Sequence, residues 1–303
     1  MMKILLLGKN GQVGWELQRA LQPLGEVTAL NRSVNDAGLC GDIGNFLAIS
    51  KVMDVIKPNI VVNATAYTAV DKAEAEIDQA DHINHLAVKN LAELCKQQNA
   101  LLIHYSTDYV FSGEGVEGWN EADNSAPVNI YGQTKRDGEI ALEQSQVDFI
   151  NFRTSWVYGA QGNNFIKTML KLGQIKDELN IIHDQVGAPT GAALIADVTA
   201  QVIRLYSLTS DEKKISLMGH YHLAAAGDCS WFDYAQYIFK TAQFLGQDLK
   251  VNHVNPIATV EYPTPAKRPL NSRLNTQKLQ QIFKIHLPHW KQGVEQVLQE
   301  IIK

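Results

Sequence analysis

Apolar and polar positions alternate along the first half of the chain in blocks that predict strands and helices in turn. Continuous apolar runs at 3–8 and 59–65 indicate strands that are buried on both faces. Residues 13–25 carry apolar side chains at helical spacing, and Pro23 and Gly25 are suited to ending that helix. The predicted strands are 3–8, 26–31, 59–65, 101–107 and one that begins in 148–159, and the predicted helices are 13–25, 45–57 and 78–100.

This alternation predicts an α/β fold built on a doubly wound parallel (Rossmann) sheet with right-handed crossovers. Ligands of such sheets bind beyond the carboxyl ends of the strands. We therefore expect the loops after residues 8, 31, 65 and 107 to face one crevice.

The pattern becomes less regular after about residue 160. We expect a Rossmann domain at 1–155 and, in 156–303, mainly a smaller C-terminal lobe that binds substrate. Some later segments, about 190–210 among them, are expected to return to flank the main sheet. The predicted elements of this part are helices near 164–173, 191–206, 230–245 and 286–302 and short strands at 179–184 and 220–225.

Composition narrows the class of protein. The 303 residues are 45% hydrophobic and 19% charged, with a formal net charge of −5. No basic patch favours nucleic acid, and no run of ~18 apolar residues favours a membrane span. Three widely separated cysteines, Cys40, Cys95 and Cys229, predict no disulfide framework and fit a reducing cytoplasm. The first strand begins at Lys3, so we expect no signal peptide and a cytoplasmic protein.

A glycine triplet stands between the first predicted strand and the first helix. Gly8, Gly11 and Gly14 provide a tight turn, close approach of backbone to a pyrophosphate, and close packing of helix on strand. The helix amino terminus adds free N–H groups and partial positive charge. The sequence therefore predicts dinucleotide binding at this turn.

The end of the second predicted strand bears on which dinucleotide is bound. An acid there would bind a ribose 2′-hydroxyl, but the chain has Asn31 and Arg32. We expect NADPH, held at its 2′-phosphate by Arg32, with NADH as a second acceptable donor; a solvated surface charge is the alternative for Arg32. Asp42 and Ile43 are candidates to contact the adenine, and a helix cap followed by a core residue is the alternative for them.

Tyr131 and Lys135 lie one helical turn apart, a spacing that also occurs in ordinary surface contacts. Thr107 ends the fourth predicted strand, so topology directs all three toward the crevice. A phenol with a pKa of about 10 is a poor proton shuttle at neutral pH. An ammonium ~4 Å away would favour phenolate, so we expect Lys135 to lower the pKa of Tyr131 and Thr107 to share a proton with a substrate oxygen.

Seven motifs carry a resemblance that extends over nearly the whole chain. The sequence resembles the extended short-chain dehydrogenase/reductases, and among them the branch that reduces dTDP-4-dehydro-L-rhamnose to dTDP-L-rhamnose, the last step of dTDP-rhamnose synthesis. The motifs are GKNGQVG (8–14), NATAYTAVDKAE (63–74), STDYVF (106–111), YGQTK (131–135), RTSWVYG (153–159), DQVGAPTG (184–191) and RPLNSRL (268–274).

The resemblance implies a role for most of the candidate residues. Tyr131 would be the proton donor, Lys135 its partner and Thr107 a tuning hydroxyl. The residues implied to contact the cofactor are Gly11, Gln12, Val13, Asp42, Ile43, Ala66, Tyr67 and Thr68, and those implied to contact the dTDP-sugar are Thr107, Asp108 and Trp156. Without the resemblance, Trp156 could equally be a core residue at a strand end. Arg268 is our own candidate for the substrate diphosphate, because a planar cation fits two phosphate oxygens.

Two departures from the family pattern affect these expectations. Asn31 stands where an acid is common, which agrees with a preference for NADPH. Some relatives hold Mg²⁺ with acidic side chains at a homodimer contact, and Glu16 fits such a position, but Ala193 stands where another carboxylate would be expected. The chain is therefore predicted to have no metal site, and a metal-bridged homodimer is disfavoured.

Two other functions remain as alternatives. A nucleotide-sugar epimerase or dehydratase keeps its nicotinamide bound, and a dehydratase of this fold typically has an Asp-Glu pair after the fourth strand. Here Tyr109 follows Asp108, which disfavours dehydration. A non-catalytic NADP-binding regulatory subunit, such as that of methionine adenosyltransferase, can retain the tyrosine and lysine.

Overall fold

The computed structural model describes residues 1–302, and its strands occupy most of the apolar runs of the N-terminal half. The strands are β1 (Lys3–Leu7), β2 (Glu26–Leu30), β3 (Ile60–Asn63), β4 (Leu101–Thr107), β5 (Phe149–Thr154), β6 (Val157–Tyr158), β7 (Glu178–Ile182), β8 (Val186–Gly187), β9 (Thr190–Gly191), β10 (Gly219–His222), β11 (Cys229–Ser230), β12 (His253–Ile257) and β13 (Asn271–Ser272).

Helices connect these strands and cover both faces of the main sheet. They are α1 (Gln12–Leu21), α2 (Phe46–Ile56), α3 (Val70–Ala73), α4 (Ile77–Asp81), α5 (Ala87–Gln97), α6 (Ile130–Ser145), α7 (Phe165–Ile175), α8 (Ala192–Leu208), α9 (Asp211–Lys214), α10 (Trp231–Phe244), α11 (Gln277–Phe283) and α12 (Trp290–Ile301). No helix within residues 1–302 is both long and apolar enough to cross a membrane.

Six strands form one parallel sheet in the order β2-β1-β3-β4-β5-β10. β1 pairs with β2 on one side and β3 on the other, so that Ile4 lies opposite both Val27 and Ile60. The strand order reverses between β1 and β3, and such a switch point opens a crevice at the carboxyl ends of the strands. The predicted doubly wound α/β fold is confirmed.

The sheet separates two apolar layers because successive side chains of a strand point to opposite faces. Ile4 and Leu6 of β1 pack with Leu17 of α1, whereas Leu5 packs on the other face with Val52 of α2, and all five side chains are fully buried. This burial on both faces is why β1 is a continuous apolar run.

One strand of the C-terminal half belongs to the main sheet. β10 pairs with β5, with Gly219 opposite Ile150. The strand predicted at 220–225, in the part expected to be mainly the C-terminal lobe, therefore overlaps a strand of the main sheet. Its sequence, GHYH, lacks the apolar run of the other sheet strands, so periodicity alone does not indicate its neighbours. α8 also packs along α1, while the division of the chain at residue 155 stays a prediction.

The predicted helix 78–100 is interrupted. α4 and α5 are joined by a π-helical segment, His82–Leu86. A π-helical turn widens the backbone spiral locally and is frequent at functional sites. Here it directs His82 and Ile83 toward the crevice at the carboxyl ends of the strands.

The remaining C-terminal strands form three small sheets, β11-β8-β13, β12-β7 and β6-β9. They surround an aromatic cluster, which we define as Trp156, Phe165, Trp231, Tyr234 and Trp290. This cluster forms the wall of the C-terminal lobe next to the end of β5.

Candidate active site

The turn from β1 into the first part of α1 requires glycine at two positions, Gly8 and Gly14. Gly8 has φ +89°, and its N–H donates to the Leu30 carbonyl at 3.0 Å. A Cβ at Gly8 would lie 2.7 Å from the Ala64 carbonyl oxygen, and one at Gly14 would lie 2.0 Å from the Gly8 carbonyl oxygen. The turn therefore brings β1, α1 and the loop after β3 into backbone contact, and leaves the first N–H groups of α1 without helical partners.

A cleft of about 1160 Å³ opens over this turn between the ends of β1, β2 and β3. The predicted cofactor residues that line it are Gly8, Gly11, Asn31, Arg32, Asp42, Ile43, Ala66 and Tyr67. Phe46, His82 and Ile83 line it as well, although the sequence analysis did not propose them. Phe46 stacks on His82 at 5.3 Å between ring centroids, and His82 Nε2 lies 2.9 Å from the Gly44 carbonyl oxygen.

Five predicted cofactor residues do not line this cleft, namely Gln12, Val13, Thr68, Tyr131 and Lys135. The Gln12 side chain turns toward the C-terminal lobe, where its Oε1 accepts from Asn164 Nδ2 at 2.9 Å. Val13 packs against the core, and Thr68 is exposed on the following loop. A cofactor role for Gln12 and Val13 therefore concerns their backbone N–H groups in the first turn of α1.

The end of β2 carries no carboxylate. The Asn31 side chain accepts from the Ser33 N–H at 3.1 Å, and Arg32 is exposed at the rim of the cleft. Asp42 Oδ1 accepts from the Gly44 N–H at 3.1 Å, and Ile43 is buried in the core. Ile43 thus has the core position that was its alternative, whereas the residue that caps α2 is Asn45 and not Asp42. Both Asp42 and Ile43 also line the cleft.

Tyr131 is positioned by the start of α6. Asn129 caps this helix by accepting from the Gly132 N–H at 2.8 Å, and its amide donates to the Lys267 carbonyl, also at 2.8 Å. A Cβ at Gly132 would lie 2.2 Å from the Tyr109 carbonyl oxygen, so the helix start lies directly against the end of β4. The Asn-Ile-Tyr-Gly sequence thereby brings the Tyr131 phenol beside Thr107.

The π-helical segment supports the same region. Asn84 is buried, and its side chain accepts from the Tyr67 N–H at 2.9 Å and donates to Thr134 Oγ1 at 3.1 Å. It links the loop after β3 to α6. Sequence reasoning missed Asn84, and its only signal was an amide on the apolar face of a predicted helix.

Burial controls the pKa of Tyr131. It raises the pKa of this phenol above the ordinary value, and the hydrogen bond between the phenol and Thr107 lowers it by less. The Thr107 hydroxyl also donates to Asp108 Oδ1 at 3.1 Å and accepts from the Tyr109 N–H at 3.2 Å. The phenol is therefore protonated at neutral pH.

The expected lowering of the Tyr131 pKa by Lys135 is not seen, because burial raises this pKa and the groups that act on it are Thr107, Asp108 and Tyr109. The Lys135 Nζ donates to the Tyr105 carbonyl at 2.7 Å and lies 3.3 Å from His104 Nε2, which holds it behind the strand end. Lys135 is almost fully buried, and burial lowers its own pKa to about 8. A helical spacing of four residues fixes the face that two side chains share, but not the direction of a long, flexible amine.

Asp108 is buried and only partly paired. Burial raises its pKa to about 7, against the hydrogen bonds from Ser272 and Thr107. The charged form of a carboxyl is disfavoured by removal from water. A titratable acid thus stands beside Thr107 and Tyr131, at the carboxyl end of β4.

Trp156, a predicted substrate-binding residue, has an unusual backbone conformation. Its φ is +47°, a conformation that costs a non-glycine residue about 1–3 kcal/mol. Its indole is partly buried and stacks on Trp231 at 3.5 Å between centroids. It belongs to the aromatic cluster, as its core alternative expected, and borders the C-terminal lobe at the strand end.

The Tyr109 ring lies between the Arg268 guanidinium and the Tyr131 ring, and contacts both. The Arg268 guanidinium pairs with Asp71 at 2.6 Å and donates to the Tyr109 hydroxyl at 3.4 Å. The Tyr109 ring meets the Tyr131 ring edge to face at 5.6 Å between centroids. A half-buried cation is thereby placed next to the predicted proton donor.

No group of three or more His, Cys, Asp or Glu side chains within residues 1–302 is arranged to hold a metal ion. Glu16 lies 3.8 Å from Arg19, whose guanidinium donates to Asp197 at 2.8 Å. Burial raises the pKa of Glu16, Arg19 lowers it, and Glu300 and Asp197 raise it further.

A family model and several known proteins match this chain over nearly its whole length. The family model described as RmlD substrate binding domain matches residues 2–302. A dTDP-4-dehydrorhamnose reductase of Escherichia coli strain K12 is 49% identical over 99% of this chain and 98% of its own length. One from Shigella flexneri is also 49% identical, with the same coverage.

Solved structures agree in fold and sequence. A dTDP-4-dehydrorhamnose reductase of Clostridium acetobutylicum superposes with a TM-score of 0.87 at 38% identity, covering 99% of each chain. One from Bacillus anthracis, solved in complex with NADP, gives a TM-score of 0.86 at 36% identity, covering 99% of this chain and all of its own. The chain belongs to the dTDP-4-dehydrorhamnose reductase family.

Proposed function

We propose that this protein reduces the 4-keto carbon of dTDP-4-dehydro-L-rhamnose with NADPH and releases dTDP-L-rhamnose. The observation that supports this most directly is the position of Tyr131. Its phenol lies beside the Thr107 hydroxyl at the carboxyl end of β4, and Asn84 links α6, which carries Tyr131, to Tyr67 of the cleft. NADPH, when bound, supplies the hydride.

Tyr131 donates the proton that the developing alkoxide needs. A reductase requires this phenol to be protonated before turnover, and burial favours that state. The Thr107 hydroxyl can donate to the same substrate oxygen and orient it toward the phenol. Lys135 would bind the ribose hydroxyls of the cofactor, and would therefore act on the phenol only through other groups.

The cleft fits NADPH in charge and shape. The free N–H groups at the start of α1 are suited to a pyrophosphate. Arg32 at the rim can pair with a 2′-phosphate, and Asn31 offers no carboxylate to repel it. Phe46 and His82 add an aromatic wall near Asp42 and Ile43, where the adenine would lie.

The dTDP-sugar would lie between β4 and the C-terminal lobe. Asp108 and Thr107 would contact the sugar, and the Trp156 indole would cover the apolar face of a 6-deoxy sugar. Arg268 would bind the diphosphate of the substrate. The diphosphate and the Asp71 carboxylate would then compete for the same guanidinium.

Consumption of NADPH with the dTDP-keto sugar tests this function. We expect one NADPH consumed per product and slower reaction with the UDP equivalent. Turnover without net loss of NADPH would support an epimerase instead. No oxidation at all, together with a stable co-purifying enzyme, would support a regulatory subunit.

Two further properties of this protein are proposed, its oligomeric state and its location. We propose that it forms a homodimer, which light scattering of the purified protein tests. We also propose that it acts in the cytoplasm, in agreement with its three unpaired cysteines.

A further inference from the structure

A chain of four polar side chains runs from the cofactor cleft to the amine of Lys135. Thr65 borders the cleft, Asn63 ends β3, His104 lies in β4, and Lys135 projects from α6. Asn63 and His104 are fully buried and Lys135 is 1% exposed. Since water does not reach these groups, their hydrogen bonds must match donor with acceptor.

The direction of the chain is fixed at its first member. A backbone N–H can only donate, and the Thr65 N–H donates to Asn63 Oδ1 at 3.1 Å. The Thr65 hydroxyl donates to the same oxygen at 2.6 Å. Rotation of the Asn63 amide would set its NH₂ against that N–H, so the amide has one orientation. Asn63 Nδ2 is therefore the atom that faces His104.

This orientation selects one tautomer of His104. Asn63 Nδ2 lies 3.2 Å from His104 Nδ1, and an amide NH₂ can only donate. His104 Nδ1 must accept, so the ring proton of the neutral imidazole is on Nε2. That N–H points at Lys135 Nζ, 3.3 Å away. Burial also lowers the pKa of His104 well below its usual value, which disfavours an imidazolium.

An ammonium cannot accept the hydrogen bond that this tautomer offers, whereas a neutral amine can. The amine can accept from His104 Nε2 and still donate to the Tyr105 carbonyl. We propose that Asn63 and His104 are positioning residues that fix one imidazole tautomer and thereby favour the uncharged amine of Lys135.

Neighbouring charges act on this arrangement from three elements. Glu139, one turn further along α6, favours a charged lysine, but it is bound by Arg153 of β5 at 2.8 Å. His220 of β10 is a neighbour of His104 and Glu139, and burial lowers its pKa. Arg153 thus compensates the Glu139 carboxylate, and both burial and the direction of the hydrogen bond from His104 act against the charged form of Lys135.

The consequence for catalysis rests on the proposed function, whereas the His104 tautomer and the protonation state of Lys135 are independent of it. A lysine that gives up its proton readily can change charge during a cycle in which the nearby phenol loses and regains a proton. Asn63 and His104 would then set the pH at which Lys135 does so.

Nitrogen NMR of the imidazole tests the proposal directly, without substrate or cofactor. We expect His104 to show an unprotonated Nδ1 and a protonated Nε2 between pH of about 6 and 9. A protonated Nδ1, or an imidazolium, would overturn the proposal. Because no turnover is measured, this outcome is independent of whether the protein is a reductase.

Asn63→Asp provides a second test, because it reverses the direction of the hydrogen bonds from residue 63 through His104 to Lys135. A carboxylate at this position can only accept, so it requires a proton on His104 Nδ1 and frees Nε2 to accept from an ammonium. We expect the Lys135 titration midpoint, followed by ¹³C NMR and assigned with Lys135→Met, to rise by about one unit or more. Thr65→Val keeps the backbone N–H and should leave the midpoint near that of wild type. An unchanged midpoint in Asn63→Asp would contradict the proposal.

Discussion

The indole of Trp156 occupies the space that a side chain at Gly187 would need. A Cβ at Gly187 would lie 2.8 Å from Trp156 Cε2 and 3.1 Å from Ser272 Cβ. The glycine of the DQVGAPTG motif is therefore explained by packing against this tryptophan. Its backbone, unlike that of Gly8, does not require positive φ.

Gly187→Ala is expected to displace the Trp156 ring and weaken binding of the sugar nucleotide. Overpacking of this kind costs ~1–3 kcal/mol of stability. We expect the KM for the dTDP-sugar to rise more than that for NADPH. Gly191→Ala is the matched control, since its Cβ would meet nothing closer than 3.4 Å. Equal effects on both KM values would argue against a substrate role for Trp156.

Asp108 should make the protein less stable as pH rises. The folded protein holds this proton to a pH of about 7, whereas the ordinary value is 3.8, so stability declines between these values as the unfolded chain releases the proton first. Asp108→Asn should remove that decline in urea unfolding measured across the range. The exposed Asp36→Asn should retain it. An identical slope in Asp108→Asn and wild type would contradict the assignment.

Glu139 has the opposite dependence at acid pH. Arg153 holds the pKa of its carboxyl at about 2, below the ordinary 4.5, despite burial. This contribution to stability is present above pH 4.5 and is lost as pH falls toward 2. The two ranges overlap only between pH 3.8 and 4.5, so the effect of Asp108 is measured above pH 4.5, where the contribution of Glu139 is constant.

Arg32→Ala should reduce the preference for NADPH. A charge-assisted hydrogen bond to phosphate contributes about 1.5–3 kcal/mol, which corresponds to a roughly ten-fold or larger fall in the NADPH/NADH ratio of kcat/KM. Arg204→Ala removes a like charge from an exposed position on α8 and should leave the ratio unchanged. An unaltered ratio in Arg32→Ala would exclude the 2′-phosphate role.

Arg268→Ala should raise the KM for the dTDP-sugar about ten-fold or more, with a smaller effect on kcat. Arg273→Ala, in the same segment, breaks a pair with Asp228 instead and serves as the control. A fall in kcat without a change in KM would place Arg268 with Tyr109 and the proton donor rather than with the diphosphate.

The main sheet could largely be predicted from the sequence because its strands are buried on both faces. β1 and β3 are continuous apolar runs, and the glycine turn follows from Gly8 and Gly14. β10 could not be placed, because a four-residue strand with two histidines carries no signal of its neighbour.

The sequence was sufficient to predict which residues form the candidate site, but not how their side chains interact. Tyr131 and Thr107 meet as expected, since topology alone brings a strand end to a helix start. The direction of Lys135 depended on His104 and the Tyr105 carbonyl, and the pKa of Asp108 depended on burial by distant segments. Neither is encoded in local spacing.

The central claim is that the Tyr131 phenol donates the proton, and single-turnover oxidation of NADPH by Tyr131→Phe tests it most directly. We expect turnover with the dTDP-keto sugar to be lost, NADPH affinity to stay near that of wild type, and Tyr109→Phe to retain measurable turnover. Retention of more than about a tenth of the wild-type rate by Tyr131→Phe would contradict the claim, because general acid catalysis contributes roughly 10²–10⁴-fold.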